Sequence, residues 1–340
     1  MSLSSHLVRA WYAPRLKLLT APLVPLAVVF GALVSARRTL FRLGVLRTHR
    51  VPVPVIVVGN ITVGGSGKTP LTAALTRALA ERGWHPGIVS RGHGRAKKRS
   101  APIVVVPDAE PDEVGDEPLL LARTGIPVAV AADRVAAARA LLAARPQCNV
   151  IVADDGLQHY RLTRDFEIAV VDVMRGLGNG WQLPAGPLRE PLARLDEVDA
   201  IVALVTGGAS PSWSGQNAWQ MTLVGDTFHR VFDPAQTQPA SAFAGMGVHA
   251  VAGIGNPERF FAQLRSLRIA ATGHAFPDHH RFVAADLALP AARAILMTEK
   301  DAVKCSAFAD ERCWYLPVHA HIDPALVARI EEALRGRETA

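Results

Sequence analysis

The sequence predicts an α/β protein in two parts: a parallel sheet with helices on both faces, and a smaller second α/β domain joined to it by a short β linker. Three observations carry this. Short β-branched runs alternate with helical patterns between residues 55 and 173, the order that builds a parallel sheet. One of those runs opens into a glycine-rich turn and then a helix. Beyond residue 243 a second strand–loop–helix–strand series begins. At 340 residues the chain is long enough for two cores.

The first 50 residues stand apart. Residues 18–36 carry no charge, and Arg15, Lys17, Arg37, Arg38, Arg42, Arg47 and Arg50 flank them. The heavier basic cluster follows the apolar run, the reverse of a secretory signal. The run barely reaches the ~20 residues a membrane span needs, and Pro22 and Pro25 interrupt it early. The expectation is a helix lying in or against a membrane interface, with Trp11 and Tyr12 at headgroup level and the arginines on anionic lipid. A buried helix is one alternative. A true span is the other, and its basic flank would keep the rest of the chain cytoplasmic.

The domain at residues 51–215 opens on a strand at 55–58. Gly59-Asn-Ile-Thr-Val-Gly-Gly-Ser-Gly-Lys-Thr-Pro70 follows, then a helical pattern at 70–82 ended by Gly83. This is the strand–loop–helix setting of a phosphate-binding P-loop. Thr62, Val63, Gly64, Gly65, Ser66 and Gly67 would wrap backbone N–H groups around a nucleotide's phosphates. Lys68 would reach the β/γ-phosphates, Thr69 would offer its hydroxyl to Mg²⁺, and the helix start adds a positive dipole. Thr62 replaces the glycine of the strict pattern.

A strand at 87–90 leads into the basic loop Arg91-Gly-His-Gly-Arg95, which runs on to Lys97, Lys98 and Arg99. A strand at 103–106 follows, and Gly115-Asp-Glu-Pro118 opens a helix at 119–122. After a strand at 128–131, Asp133-Arg134 caps an alanine-rich helix to 144. The buried strand at 150–153 ends in Asp154-Asp155, followed by Gln158-His159; another strand runs from 168 to 173. Segments at 219–224 and 228–232 alternate like a two-stranded element, giving the linker its bounds of 216–242. The second domain, 243–340, has strands at 249–252 and 295–297 and a helix at 258–267. Its Gly253-x-Gly255 pair is no dinucleotide fingerprint, because Glu258 holds the third glycine's place.

Several residues carry chemistry. A P-loop enzyme needs an acid at the sheet's carboxyl edge to hold Mg²⁺, and Asp154 or Asp155 suits it; adjacent residues at a strand end point to opposite faces. Asp116-Glu117 at a helix start reads two ways, as a cap or as an acid pair beside the γ-phosphate, one on metal and one acting as base. Phe276-Pro-Asp278-His279-His280 is a histidine-bearing loop without the spacing of a helical metal site. Arg91, Arg95, Arg134, Gln158, His159 and Arg189 are candidate substrate-binding residues; Arg91 and Arg95 offer a phosphate clamp, a solvated basic loop being the alternative.

Composition narrows the partners. The net charge is +7, with 49% hydrophobic and 20% charged residues, so the chain folds and favours anionic ligands. Aromatics are only 6% and show no stacking-plus-basic pattern, which argues against nucleic acid. Three cysteines, Cys148, Cys305 and Cys313, are odd in number and form no C-x-x-C pair, pointing to a reducing compartment. No obligate protein partner is expected.

Taken together the chain resembles the tetraacyldisaccharide 4′-kinases, the lipid A 4′-kinases. The matching stretches are residues 59–70, Ser90-Arg-Gly92, Gly115-Asp-Glu-Pro118, 154–159, Leu188-Arg-Glu-Pro191, Gly253-Ile-Gly-Asn-Pro257, Asp278-His279 and Thr298-Glu-Lys-Asp301. They run in order through nearly the whole chain, and Thr62 fits the family's loop. His93 departs from it, standing where the family has a tyrosine. The resemblance implies ATP- and Mg²⁺-dependent phosphorylation of the 4′-hydroxyl of a lipid A disaccharide precursor, at the cytoplasmic face of the inner membrane. It also implies two α/β domains with the nucleotide in the cleft, Asp116 as catalytic base with His279 as its partner, and Thr69 and Glu117 on the metal with Asp154 or Asp155. The rival is a membrane-associated ATPase switch of the partitioning type, whose loop carries a lysine where this chain has Val63. A GTPase would need Asn-Lys-x-Asp, and here Lys300 and Asp301 are adjacent.

Overall fold

The computed structural model of the chain describes residues 3–93, 95, 101–206 and 217–336; Lys97, Lys98 and Arg99 of the basic loop lie outside them. In chain order the principal elements begin with α1 (Leu3–Trp11), α2 (Val24–Arg42), β1 (Val55–Gly59), α3 (Lys68–Glu81), β2 (Pro86–Ser90) and β3 (Ile103–Val105). Next come α4 (Pro111–Val114), α5 (Asp116–Arg123), β4 (Val128–Val130), α6 (Arg134–Ala144), β5 (Val150–Asp154), β6 (Phe166–Asp172), β7 (Ala200–Val205) and β8 (Ala218–Val224). The rest are β9 (Thr227–Arg230), β10 (Thr237–Pro239), β11 (Val248–Ala252), α7 (Pro257–Ser266), β12 (Ala271–Ala275), β13 (Ala294–Thr298), α8 (Glu299–Cys305), β14 (Cys313–Leu316), β15 (His319–Ile322) and α9 (Pro324–Arg335).

A nine-stranded sheet runs β15-β8-β7-β6-β1-β5-β2-β4-β3. From β8 to β4 every neighbouring pair is parallel. The central strands are apolar on both faces, as a sheet covered twice requires. On one face α3 and α9 pack Leu71, Leu75, Leu79, Leu326 and Ile330 against β1 and β6. On the other, α6 brings Val135, Ala138 and Leu141 onto Val57 and Ile151. The edge strands β3 and β15 are antiparallel to their neighbours. The chain leaves the carboxyl edge of β2 and comes back down as β3 without a crossover helix among the described residues, so β3 runs the other way.

The second sheet has six strands in the order β10-β9-β14-β13-β11-β12, parallel from β14 to β12. The expected two-stranded linker does not form. β8 joins β7 and β15 in the large sheet, while β9 joins β14 and β10 in the small one. Residues 319–335, expected in the second unit, return to the first as β15 and α9. The alternation in 218–230 correctly marks strands; strand patterning does not name a partner. The three cysteines are buried and unpaired.

At the N-terminus, Pro22 and Pro25 do not break the apolar helix but start it, at positions where proline's missing N–H costs nothing. Residues Ala21–Arg42 are long and apolar enough to cross a membrane by length and composition. Leu26, Val28, Val29 and Leu33 are more than half exposed. The opposite face is docked: Arg38 is 8% exposed and pairs with Glu197, and Gly31 packs on Gln182. Trp11 and Tyr12 do not face outward. Trp11 Nε1 donates to Pro184 O at 2.8 Å and Tyr12 Oη to Val63 O at 2.7 Å.

Candidate active site

The loop after β1 enters α3 through Gly67, whose φ of 92° is open to glycine; a Cβ there would meet Leu204. A cleft of about 360 Å³ begins at this loop. Gly65, Ser66, Gly67, Lys68 and Thr69 line it with Glu117, Arg259, Gln263 and Lys300. Ser66 Oγ is buried with no hydrogen-bond partner among the described residues, as a group awaiting a phosphate oxygen would be. Thr62, Val63 and Gly64 stand outside this lining. The Val63 N–H already donates to Pro187 O at 2.9 Å, and Thr62 Oγ1 accepts from Asn60 at 3.2 Å. The Val63 N–H is thus committed to the protein, and Thr62 ties the loop's base through its side chain.

Asp154 and Asp155 diverge, as neighbours at a strand end should. Asp154 is 1% exposed and takes hydrogen bonds from Thr72 at 3.3 Å and Ser90 at 3.4 Å. Its burial, with Glu117 and Asp155 nearby, holds its carboxyl well above the usual range. Asp155 sits at φ 47°, in the left-handed region. It lies 3.6 Å from Lys68 Nζ and 3.2 Å from Arg189 Nη1. Burial alone would raise its pKa, but these cations hold it below the usual range.

Gly115, at φ 96°, sets the start of α5 so close to His93 O that a Cβ would clash at 2.6 Å. Asp116 follows, 5% exposed. Its Oδ1 takes the Glu117 N–H at 3.0 Å, while Gly115 holds the N-cap position. Its Oδ2 faces His279 Nδ1 at 3.3 Å, an ion-pair contact too poorly aligned for a directed hydrogen bond. Burial would raise the Asp116 pKa; His279 and Lys300 outweigh it and bring it to about 2. In return Asp116 raises the pKa of His279 against the effect of burial. His279 is also left-handed, at φ 58°, and His93 packs edge-on to its ring at 4.6 Å, so the departing residue supports the histidine.

Sequence reasoning missed Lys300. Thr298 caps α8 by accepting the Asp301 N–H at 3.2 Å, which puts Lys300 in the first turn, aimed at α5. Its Nζ lies 2.8 Å from Glu117, 3.4 Å from Asp278 and 3.7 Å from Asp116. Burial alone would lower its pKa, but the three carboxylates more than offset that. The Thr298-Glu-Lys-Asp301 motif was the available signal.

The other candidates divide. Arg189 joins the loop through Asp155. Gln158 Nε2 donates to Asn60 O at 3.0 Å, bracing the loop's base. Arg134 is 3% exposed and bonded to the backbone of Ala131 and Asp155, with burial lowering its pKa to about 10. His159 Nε2 accepts the Arg134 N–H, and burial lowers its pKa to about 4. Arg134 and His159 are thus tied to the protein's own backbone. Arg95 folds back onto Gly92 O at 3.0 Å, while Arg91 is exposed.

A glycine-rich loop opening a helix at the carboxyl edge of a parallel sheet, with a lysine and acids around it, defines a P-loop phosphotransferase. The sequence comparisons narrow this. Residues 19–335 match the family model described as tetraacyldisaccharide-1-P 4'-kinase. A tetraacyldisaccharide 4'-kinase of Azoarcus sp. (strain BH72) is 55% identical over 320 residues, 94% of this chain and 93% of that protein. One from Aromatoleum aromaticum is 54% identical over 324 residues, covering 94% and 95%. The crystal structure of LpxK from Aquifex aeolicus in complex with ATP superposes with a TM-score of 0.77 at 28% identity, covering 93% of this chain and 100% of that one. The chain belongs to the tetraacyldisaccharide 4'-kinase family, and it is an ATP-using kinase of lipid A biosynthesis.

Proposed function

We propose that the chain transfers the γ-phosphoryl group of ATP to the 4′-hydroxyl of a tetraacyl disaccharide 1-phosphate, with Asp116 as base and His279 as its partner from the second unit. The carrying observation is the 3.3 Å approach of His279 Nδ1 to Asp116 Oδ2 between elements far apart in sequence. ATP's phosphates rest on residues 64–69, and Lys68 neutralises charge on the transferring group. Asp116 is ionised at any working pH and accepts the hydroxyl proton as the oxygen attacks. Such a weak base suffices because a loose phosphoryl transition state needs its proton removed late. His279 orients the carboxylate and completes the site only when the two units meet, which limits wasteful hydrolysis.

The donor set fits Mg²⁺. Among the described residues no three His, Cys, Asp or Glu groups form a metal cage. That suits an ion held by one or two carboxylates, phosphates and water. Thr69, Glu117 and Asp154 would hold it; Asp154 is met by hydroxyl donors, whereas Asp155 is already neutralised by Lys68 and Arg189. When bound, Mg²⁺ supplies positive charge along the phosphate chain. The exposed apolar face of α2 rests on the cytoplasmic leaflet of the inner membrane, where the acceptor's acyl chains remain.

The test is a double-mutant cycle. Asp116→Ala and His279→Ala should each lower kcat by about a hundredfold or more while ATP affinity changes little. The double variant should cost little beyond the worse single one. Independent, additive losses would refute the pairing.

A further inference from the structure

A loop that points its N–H groups at a phosphate must turn carbonyls outward, and each outward carbonyl needs a donor of its own. Two of these carbonyls have one. Tyr12 Oη donates to Val63 O at 2.7 Å, and Arg259 Nη1 reaches Gly65 O at 3.3 Å. Arg175 stands between the two. Its guanidinium carbon lies 3.8 Å over the Tyr12 ring, a cation–π stacking arrangement. Its Nη1 donates to Gly255 O of the second unit at 2.6 Å. It also crowds Gly64, where a Cβ would run into the guanidinium. Tyr12 is in turn fixed through its neighbour: Trp11 Nε1 holds Pro184 O, and the Asn179 N–H holds Trp11 O at 2.8 Å.

Two features separate this arrangement from ordinary packing. Neither Tyr12 nor Arg175 lines the nucleotide cleft, so neither has a place against ATP. Yet Tyr12 bonds to the Val63 carbonyl, and Arg175 fills the space beside Gly64 while stacking on Tyr12, so both bear on the mouth of the loop. Burial also pushes the Tyr12 hydroxyl pKa up, keeping it a hydrogen-bond donor.

We propose that Tyr12 and Arg175 are positioning residues for the nucleotide loop, forming an outer brace that turns the Val63 carbonyl away from the phosphates. The N-terminal segment thereby belongs to the nucleotide site as well as to the membrane face. The inference rests on the reading of residues 64–69 as ATP's phosphate cradle.

The test uses the full-length chain in detergent micelles, with ATP binding measured by calorimetry and by KM. Tyr12→Phe keeps the ring under Arg175 and removes only the donor. It should weaken ATP binding by about threefold to tenfold, the scale of one net hydrogen bond. The KM for the lipid acceptor and the melting temperature should hold. Arg175→Lys keeps the charge but loses the planar stack and the Gly255 bond, and should weaken ATP binding similarly. Unchanged ATP affinity in folded Tyr12→Phe would overturn the proposal, as would equal losses for ATP and lipid alongside a fallen melting temperature, which mark packing alone. Should Tyr12→Phe not fold, Arg175→Lys decides between the same outcomes. Lys68→Ala separates the two readings. If it leaves ATP binding intact, the cradle itself is misassigned; if it abolishes binding while both brace variants bind normally, only the brace fails.

Discussion

Two pairs of adjacent acids stand around the cleft, and they are held in opposite ways. Asp154 and Asp155 are held from the first unit: by Thr72 and Ser90 for one, by Lys68 and Arg189 for the other. Asp116 and Glu117 are held from the second, by His279 and Lys300, with Asp278 beside them. The first pair is a fixed part of the nucleotide platform. The second reaches this arrangement only while the two units touch. On the proposed function, that division would let the platform hold ATP before the base is complete.

The comparison breaks most violently at Lys68. Lys68→Ala removes charge from the transferring phosphoryl group and a partner from Asp155, so turnover should fall by about a hundredfold or more. Steady-state kinetics with saturating ATP and lipid acceptor would show it, and near-normal turnover would discard the platform reading. Lys300→Gln acts on the other pair. It leaves the carboxylates of Asp116, Glu117 and Asp278 facing one another without their shared cation, a costly arrangement. The expected loss in kcat is smaller, about tenfold, with ATP affinity nearly kept and partial rescue by Lys300→Arg. An ATP affinity that collapses as far as kcat would place Lys300 on the nucleotide instead.

The smallest effect is a matter of pH. The folded protein raises the pKa of His279, so its ion pair with Asp116 adds stability below the ordinary histidine value of about 6.5. That contribution fades as pH rises through the higher folded value. The difference in melting temperature between the wild type and His279→Gln should therefore shrink on the alkaline side. Asp116, brought to about 2, adds no titration of its own at mildly acid pH. A difference that grows with pH would contradict the pair.

How legible these regions were in the sequence follows from how local they are. The loop at 64–69 declares itself, because glycine, lysine and threonine must stand in order on one turn. The Asp116–His279 pair did not: an acid at a helix start and a histidine in a turn each have an ordinary explanation, and only the family resemblance joined them. Strands β7 and β12 went unread for different reasons. β7 is an apolar run closed by Gly207-Gly208, a turn signal left unused. β12, Ala-Thr-Gly-His-Ala, is an edge strand with almost no apolar pattern. Trp11 and Tyr12 were misplaced because an aromatic pair beside basic residues resembles a headgroup anchor. Their actual partners, Pro184 O and Val63 O, are backbone atoms that no side-chain pattern reveals.

Among the described residues, the non-glycine positions with left-handed backbone are Asp155, His279 and Arg268, and two of these touch residues that line the cleft or the acids beside it, Asp155 at Lys68 and His279 at Asp116. A glycine at either would relax the chain and erase the chemistry, a standing conflict between thermal robustness and catalytic fitness. Extra stability is then to be sought in the helices and strands of the two sheets, where no reactive side chain is at stake.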